Sequence, residues 1–313
     1  WGRALAAVGL QSGTIGLYGS SPINVTLERM KILPDILPQF SFTGETGFTL
    51  FDAAFTTKDS DEMARIQSVA QRTDAALNAI WDFISAHRAQ GEAVVDADGQ
   101  PLTIGAVKRR VRLELLQREL EDTGMIFAQG RDGGFPHSRG QDDQALRTGQ
   151  AIVFDLFPRE LGGGYHHDMT RTWCLGYAPE PVQQAYDQVM AAFELALAHF
   201  QLGQPTCHMQ ERVQDYFESL GHATTRSTPG AMDGYVHSLG HGIGLNVHER
   251  PSISHMRRED RFEIGNCITI EPGLYYPEQG FGVRVEDLFI ITADGELKSL
   301  TPFRKDLVLP LQG

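Results

Sequence analysis

The sequence predicts an α+β fold made of two pseudo-symmetric halves, preceded by a fragment of an N-terminal domain. Three observations carry this. A pair of amphipathic helical patterns followed by acid-bearing strand patterns occurs twice between about residues 59 and 292. The strand patterns are rich in β-branched and aromatic residues and are bounded by turn-forming glycines. The opening residues show neither pattern, which sets the boundaries at 1–57 for the N-terminal remnant and connector and 58–313 for the main domain.

From residue 1 to about 55, short apolar runs such as 14–18 alternate with turn-rich stretches that include Pro34 and Pro38, as expected of a domain fragment joined to a connector. A helix is predicted from Asp59, where Asp59 and Glu62 have capping-box spacing. Met63, Ile66, Val69, Leu77, Ile80 and Ile84 form its apolar stripe, and Gly91 is its expected stop. A second helix is predicted over about 103–123, with Val107, Val111, Leu115, Leu116 and Leu120 on one face and Gly124 ending it. Its Lys108, Arg109, Arg110, Arg112 and Arg118 read as a solvated face, not a binding patch. Strand patterns at 150–157 and 165–174, separated by Gly162, Gly163 and Gly164, read as a hairpin. The second half repeats the order, with helices at about 181–202 and 209–220 and strand patterns at 267–271 and 283–292. The halves share no residue-level identity, so the symmetry is one of architecture.

Composition bounds the function. With 41% hydrophobic and 21% charged residues the chain is an ordinary globular protein, and at 313 residues it buries enough apolar surface to fold without crosslinks. Its 27 basic and 40 acidic residues leave a net charge of -13, which repels nucleic-acid phosphates and anionic membranes. Cys174, Cys207 and Cys267 cannot all pair and have no metal-site spacing, which points to a reducing, cytoplasmic setting. No apolar run is long enough for a membrane helix, and the expectation is no membrane partner. The chain begins at Trp1, and its opening reads as the middle of a domain.

In each half two carboxylates sit on segments that otherwise read as buried strands: Asp155 and Asp168 in the first, Glu271 and Glu286 in the second. Burying an ionised carboxylate costs several kcal/mol, and neighbouring like charges add to it, so something positive must compensate. One such acid alone reads best as a strand-end carboxylate in a turn or salt bridge, but four together point to a site. Along 267–271, alternation puts Glu271 on the face of Thr269, away from Ile268 and Ile270, and along 282–286 Arg284 and Glu286 share a face. Bridging carboxylates with one imidazole can hold two divalent cations ~3.5 to 4 Å apart, which polarise a carbonyl and generate hydroxide near neutral pH. Oxygen-rich ligation suits manganese, cobalt, iron or zinc better than a thiolate-type site would. Imidazoles come from segment 234–251, where His237, His241 and His248 cluster with Gly240, Gly242 and Gly244, residues that let backbone approach closely. The segment is not a zincin motif, since His248 and Glu249 are followed by Pro251 with no second histidine at helical spacing.

Over about residues 59–301 the sequence resembles the pita-bread metallopeptidases, which include methionine aminopeptidase, aminopeptidase P, prolidase and the metal-free creatinases. The motifs that carry the resemblance are Val-Phe-Asp-Leu at 153–156, Gly-Tyr-His-His-Asp-Met-Thr-Arg-Thr at 164–172, His-Ser-Leu-Gly-His-Gly-Ile-Gly at 237–244, Ile-Glu-Pro-Gly at 270–273 and Gly-Val-Arg-Val-Glu-Asp at 282–287. The resemblance implies the pita-bread fold and two divalent metal ions per chain, manganese foremost, with cobalt, zinc or iron as alternatives. It implies Asp155 and Asp168 as ligands, Asp168 bridging, and His241, Glu271 and Glu286 as the rest, Glu286 being the second bridge. It gives Glu271 the further role of exchanging protons with the attacking water. His248 would contact substrate and help stabilise the oxyanion, His237 and His137 would be the other active-site histidines on either side of the cleft, and Arg284 the arginine beside the last glutamate. The loop joining Asp155 to Asp168 carries two more residues than is usual in the family, an even insertion that preserves the facing of Asp168. His166 and His167 are read as strand and rim residues, not ligands.

The activity implied is a metal-dependent exopeptidase that hydrolyses Xaa-Pro bonds of a peptide substrate through a dinuclear-metal-bound hydroxide. The aminopeptidase P-like form is placed first, with prolidase (Xaa-Pro dipeptidase) as the alternative. Methionine aminopeptidase follows, disfavoured because it needs no domain before Asp59. Creatinase-like enzymes and catalytically silent protein-binding modules of this fold lose metal ligands, and all five are present here. By the same resemblance the full-length protein is expected to form a homodimer.

Overall fold

A computed structural model describes residues 1–312, and the chain separates into two compact units, Trp1–Ala54 and Phe55–Gly313. In the first unit, α1 (Gly2–Ala7), β1 (Gly13–Gly16), α2 (Ile23–Ile36) and β2 (Phe40–Thr43) follow one another, and β1 and β2 pair in parallel from Gly13 opposite Phe40 to Gly16 opposite Thr43. Leu33, Leu37 and Phe40 form its small core. Pro34, expected in a turn, lies inside α2 two residues from its end, so little helix remains beyond it to be disrupted. Helix α3 (Leu50–Thr56) carries the chain past residue 54.

The second unit opens with α4 (Ser60–Ser85), whose N-terminus is a complete capping box: Asp59 accepts from the N–H groups of Asp61 and Glu62, and Glu62 returns a bond to the Asp59 N–H. Ile66, Val69, Leu77, Ile80 and Ile84 are buried along one face, as the stripe predicts. Gly91 does not stop this helix. It turns the hairpin between β3 (Arg88–Gln90) and β4 (Ala93–Val95) at φ 61°, a conformation glycine supplies equally well at a helix end or a hairpin tip.

Helix α5 (Ile104–Leu116) starts at Thr103, which accepts from the Ala106 N–H, but it ends well short of the predicted Gly124. Leu120 is buried instead in β5 (Leu120–Glu121), and Leu116 is 56% exposed. Lys108, assigned to the solvated face, is buried and paired with Asp142 at 2.7 Å, whereas Arg109, Arg110 and Arg112 are exposed.

Strands β6 (Ile126–Gln129), β7 (Ala151–Leu156) and β9 (Met169–Leu175) form an antiparallel sheet, and β8 (Arg159–Glu160) in the long β7–β9 loop pairs with β5. Helices α4 and α5 cover one face of this sheet, where Ile80, Val107, Val111, Phe127, Phe154 and Trp173 pack together. Burying side chains of this size contributes on the order of 2 kcal/mol each, which fixes which face is left for polar residues.

The second half repeats the plan. Helices α6 (Glu180–Ala198) and α7 (Cys207–Ser219) precede β10 (Gly240–Gly242), β11 (Glu249–Ile253), β12 (Cys267–Ile270), β13 (Gly273–Tyr276), β14 (Phe281–Arg284), β15 (Asp287–Ile291), β16 (Leu297–Ser299) and β17 (Val308–Leu309). The larger sheet has the order β11-β10-β12-β15-β16, β13 and β14 form a separate hairpin, and β17 joins the first sheet beside β9. Val189, Phe193, Val213, Phe217, Ile268 and Phe289 form the core under α6 and α7.

The predicted strand over 283–292 is therefore two strands. Between Arg284 and Asp287 the chain leaves one partner, β13, for another, β12. Glu286 lies at that switch, and its N–H donates to the Thr170 carbonyl at 3.0 Å, joining the two halves. Among the described residues, no helix is long and apolar enough to cross a membrane.

Candidate metal centre

Register puts the first pair of acids on one face. Asp155 in β7 stands opposite Thr170 in β9, and Asp168 lies two residues before Thr170, so the three side chains project to the same side. The insertion in the loop has not rotated Asp168 away. In the second half, β12 ends at Ile270 and Glu271 follows, its N–H donating to Leu239 O at 2.8 Å. A Cβ at Gly240 would come 2.0 Å from Thr269 O, so β10 approaches this strand as only glycine permits. That approach delivers His241, whose N–H donates to Thr269 Oγ1 at 3.1 Å.

One oxygen each from Asp168 and Glu286 and one nitrogen of His241 lie within 4.8 Å of one another. His241 Nε2 is 3.7 Å from Asp168 Oδ2 and 3.5 Å from Glu271 Oε1. Glu286 Oε2 accepts from Thr170 Oγ1 at 2.7 Å, and Asp155 Oδ2 accepts from Arg284 Nη2 at 2.6 Å. The buried Oδ1 atoms of Asp155 and Asp168 have no hydrogen-bond partner.

The electrostatics are those of an anion cluster short of positive charge. Burial, then the charges of Glu286 and Asp155, raises Asp168 well above the usual carboxylate range. Burial, then Glu271 and Asp155, does the same to Glu286. Glu271 is pushed up to about 8 by burial, with Arg284 opposing and Asp155 adding to the rise. Arg284 is the cation inside the cluster, and its guanidinium also donates to Thr170 Oγ1 at 2.9 Å and to Tyr275 Oη at 2.7 Å.

The histidines divide by role. His241 Nδ1 is 3.0 Å from Gly242 O; a carbonyl only accepts, so Nδ1 carries the proton and Nε2 presents its lone pair to Asp168 and Glu271. Burial and then the nearby His248 depress His241 to about 3, so the ring is neutral. A lone pair facing carboxylate oxygens is repulsive without a cation between them. With the two orphaned carboxylate oxygens, this donor set fits a divalent metal.

His237 is held differently. Its Nδ1 is 2.7 Å from Ser238 O and 3.9 Å from Glu271 Oε2, while Nε2 meets Tyr275 Oη at 2.9 Å. Burial and then Arg284 lower it to about 3. His248 is exposed, yet its ring stands edge-on to His241 with centroids 4.4 Å apart. His137 is exposed on its loop and lies near enough to His237 and His248 for its charge to bear on both.

Tyr275, Thr170 and Thr172 are assigned no role from the sequence and Thr269 only a shared face with Glu271, yet all four bond the acids or Arg284. Thr172 Oγ1 both accepts from Arg284 N–H and donates to Arg284 O, each at 2.9 Å, and Thr269 Oγ1 donates to Glu271 at 3.4 Å. The signal available was parity, since Thr170 and Thr172 alternate with Asp168 along one strand. His166 and His167 are buried, not rim residues. His166 contacts Gly244 O at 3.2 Å and His167 contacts Thr301 Oγ1 at 3.0 Å, and neither joins the anion cluster.

Comparison with known proteins gives the family and the fold. The family model "Metallopeptidase family M24" matches residues 64–293. The Xaa-Pro dipeptidase of Pyrococcus furiosus is 29% identical over 251 residues, covering 80% of this chain and 64% of that protein. A dipeptidase structure from Pyrococcus horikoshii superposes with a TM-score of 0.80 at 22% identity, over 99% of this chain and 77% of that one. An X-Pro aminopeptidase structure from Thermotoga maritima gives 0.77 at 21% identity, over 98% and 78%. These likenesses show the pita-bread fold. The chain spans between 42% and 64% of the length of the first curated relatives it matches.

Proposed function

The chain belongs to metallopeptidase family M24, and on that premise we propose that it is a metal-dependent exopeptidase hydrolysing Xaa-Pro bonds, with the dipeptidase form ahead of the aminopeptidase P-like form. The observation that carries the metal-dependent reading is the bare Nε2 of His241 aimed at Asp168 and Glu271, with Glu286 in the same cluster. The order of the two forms reverses the one drawn from sequence, because curated relatives on both sides of the bacterial and archaeal divide are named dipeptidases. The aminopeptidase form keeps support from the fold shared with the Thermotoga maritima enzyme.

Asp155, Asp168, His241, Glu271 and Glu286 would hold two divalent ions, manganese foremost, on the oxygen-rich character of the set. Such ions, when bound, polarise a carbonyl and lower the pKa of water. The chain's own residues do the rest. Glu271, held by Thr269 and 3.5 Å from His241 Nε2, is placed to take and return a proton. Arg284 offsets the charge of Asp155 and donates to Tyr275, which donates in turn to His237, an imidazole kept neutral by burial and by the charge of Arg284. His248 and His137 complete the rim as substrate contacts. Residues 1–57 fit the remnant of an N-terminal creatinase-like domain.

An Xaa-Pro bond is a tertiary amide without N–H, so a cleft can select it by shape while offering no acceptor that another residue would satisfy. Turnover of Xaa-Pro, Xaa-Pro-Xaa and Met-Ala-Xaa peptides, with manganese and after chelation, tests the reading. Cleavage of the dipeptide alone selects the dipeptidase form, and cleavage of the tripeptide restores the aminopeptidase form. Cleavage of only the methionyl peptide defeats the proline assignment, and full activity after chelation defeats the metal.

A further inference from the structure

The turn that carries His248 is fastened from beneath by a buried ion pair. Lys58, just ahead of α4, places Nζ 2.7 Å from Glu249 Oε2, and the two side chains are 2% and 3% exposed. Lys58 Nζ also donates to Phe55 O at 2.6 Å, and its backbone N–H donates to Gly265 O at 2.8 Å, so the ammonium has a fixed base. The other carboxylate oxygen, Glu249 Oε1, accepts from the Asn246 N–H at 2.9 Å and from Asn246 Nδ2 at 3.2 Å. One carboxylate thus closes the turn on itself and ties it to the start of α4.

The far end of the turn is pinned as well. Gly244 O accepts from the His166 N–H at 2.8 Å. A Cβ on Gly244 would stand 2.5 Å from Glu249 Oε2 and 2.7 Å from Lys58 Cε, so the pair packs directly against the turn's backbone. Between these anchors His248 is exposed to solvent and nevertheless faces His241. Desolvating two charges largely cancels their attraction, so a buried pair is a poor source of stability; what it defines is geometry.

We propose that Lys58 and Glu249 are positioning residues for the reaction, holding the 243–249 turn so that the His248 imidazole stands at the metal centre. The proposal rests on the reading above that His248 contacts substrate. The bonds of Lys58 run to Glu249, Phe55 and Gly265, and it acts through the turn.

A double-mutant cycle on the metal-loaded full chain tests it, with Lys58→Met, His248→Ala and the double variant assayed on an Xaa-Pro dipeptide. Lys58→Met should lower kcat roughly tenfold, the scale of a small misplacement of a reacting group, with metal content unchanged. In the His248→Ala background the same substitution should cause no further loss, because coupled residues are non-additive. Equal losses in both backgrounds, with His248→Ala itself impaired, overturn the role of Lys58 alone. A fully active His248→Ala variant overturns the site reading and this role with it. Amide hydrogen exchange gives a readout free of activity: Lys58→Met should accelerate exchange at Gly244 and Asn246 and leave His241 unchanged, and unchanged turn amides overturn the proposal. Should Lys58→Met fail to fold, Glu249→Gln keeps an acceptor for Asn246 while removing the charge, and the same cycle and exchange criteria apply to it.

Discussion

Thr170 and Glu286 are joined twice: the Glu286 N–H donates to the Thr170 carbonyl at 3.0 Å, and Thr170 Oγ1 donates to Glu286 Oε2 at 2.7 Å. One residue belongs to the first half and the other to the second, so this contact sets the distance across which the acids face each other. Thr170→Val should keep the shape, remove the hydroxyl and weaken metal affinity about 10- to 100-fold, the usual effect of losing a bond that orients a ligand. Thr170→Ser should restore it. Calorimetric titration with manganese checks both, and equal affinity in all three proteins would show that the hydroxyl does not orient Glu286.

The metal-free protein should lose stability as pH rises. Asp168, Glu271 and Glu286 all have raised folded pKa values, Glu271 to about 8, so the native state keeps protons that the unfolded chain has released. The stabilisation is whole below the ordinary carboxylate pKa and declines as pH climbs through the folded values. The slope is roughly 1.4 kcal/mol per pH unit for each proton retained. Bound cations replace those protons, so manganese should flatten the slope. Urea midpoints from pH 5 to 9, with and without chelator, measure it; a metal-free protein equally stable across that range contradicts the electrostatic account.

Asp168→Asn should remove nearly all activity, a loss of about 10²-fold or more, because an amide cannot balance the cationic charge its neighbours must share. His166→Ala should cost about 1 kcal/mol of stability through its lost ring contact while keeping the backbone bond to Gly244, and should leave kcat nearly intact. Steady-state kinetics beside thermal melts separates the two. Similar kinetic losses would place the ligand two residues away from where we assign it.

His237→Ala and His248→Ala should keep their metal and lose on the order of 10²-fold in kcat, as expected of groups that act on the substrate in the transition state. Elemental analysis of each variant is the decisive measurement. Metal loss from either would make that histidine a ligand.

What could be read from the sequence depended on whether the signal was local. The capping box at Asp59 and the α4 stripe are set by neighbours three and four residues away, and both appear as expected. Acids on strand patterns were conspicuous because an ionised group in an apolar run demands a reason. Gly91 misled because positive φ is needed both at a helix end and at a hairpin tip. The break at Glu286 was invisible because it reflects a change of partner strand, and nothing in the segment 283–292 names its partners. Tyr275 went unnoticed for the same reason: its hydroxyl matters only because Arg284 and His237 arrive on either side of it.

The bond between Thr170 and Glu286 also orders events in time. The donors we assign begin at Asp155 and end at Glu286, so the first two are synthesised well before the last of them emerges from the ribosome. Until then the first half displays two carboxylates with no partner to share a cation, and it has no means of choosing one metal over another. Selection of the ion is thereby deferred until the second half has folded against the first, and whichever cation is plentiful at that moment has the first opportunity to enter.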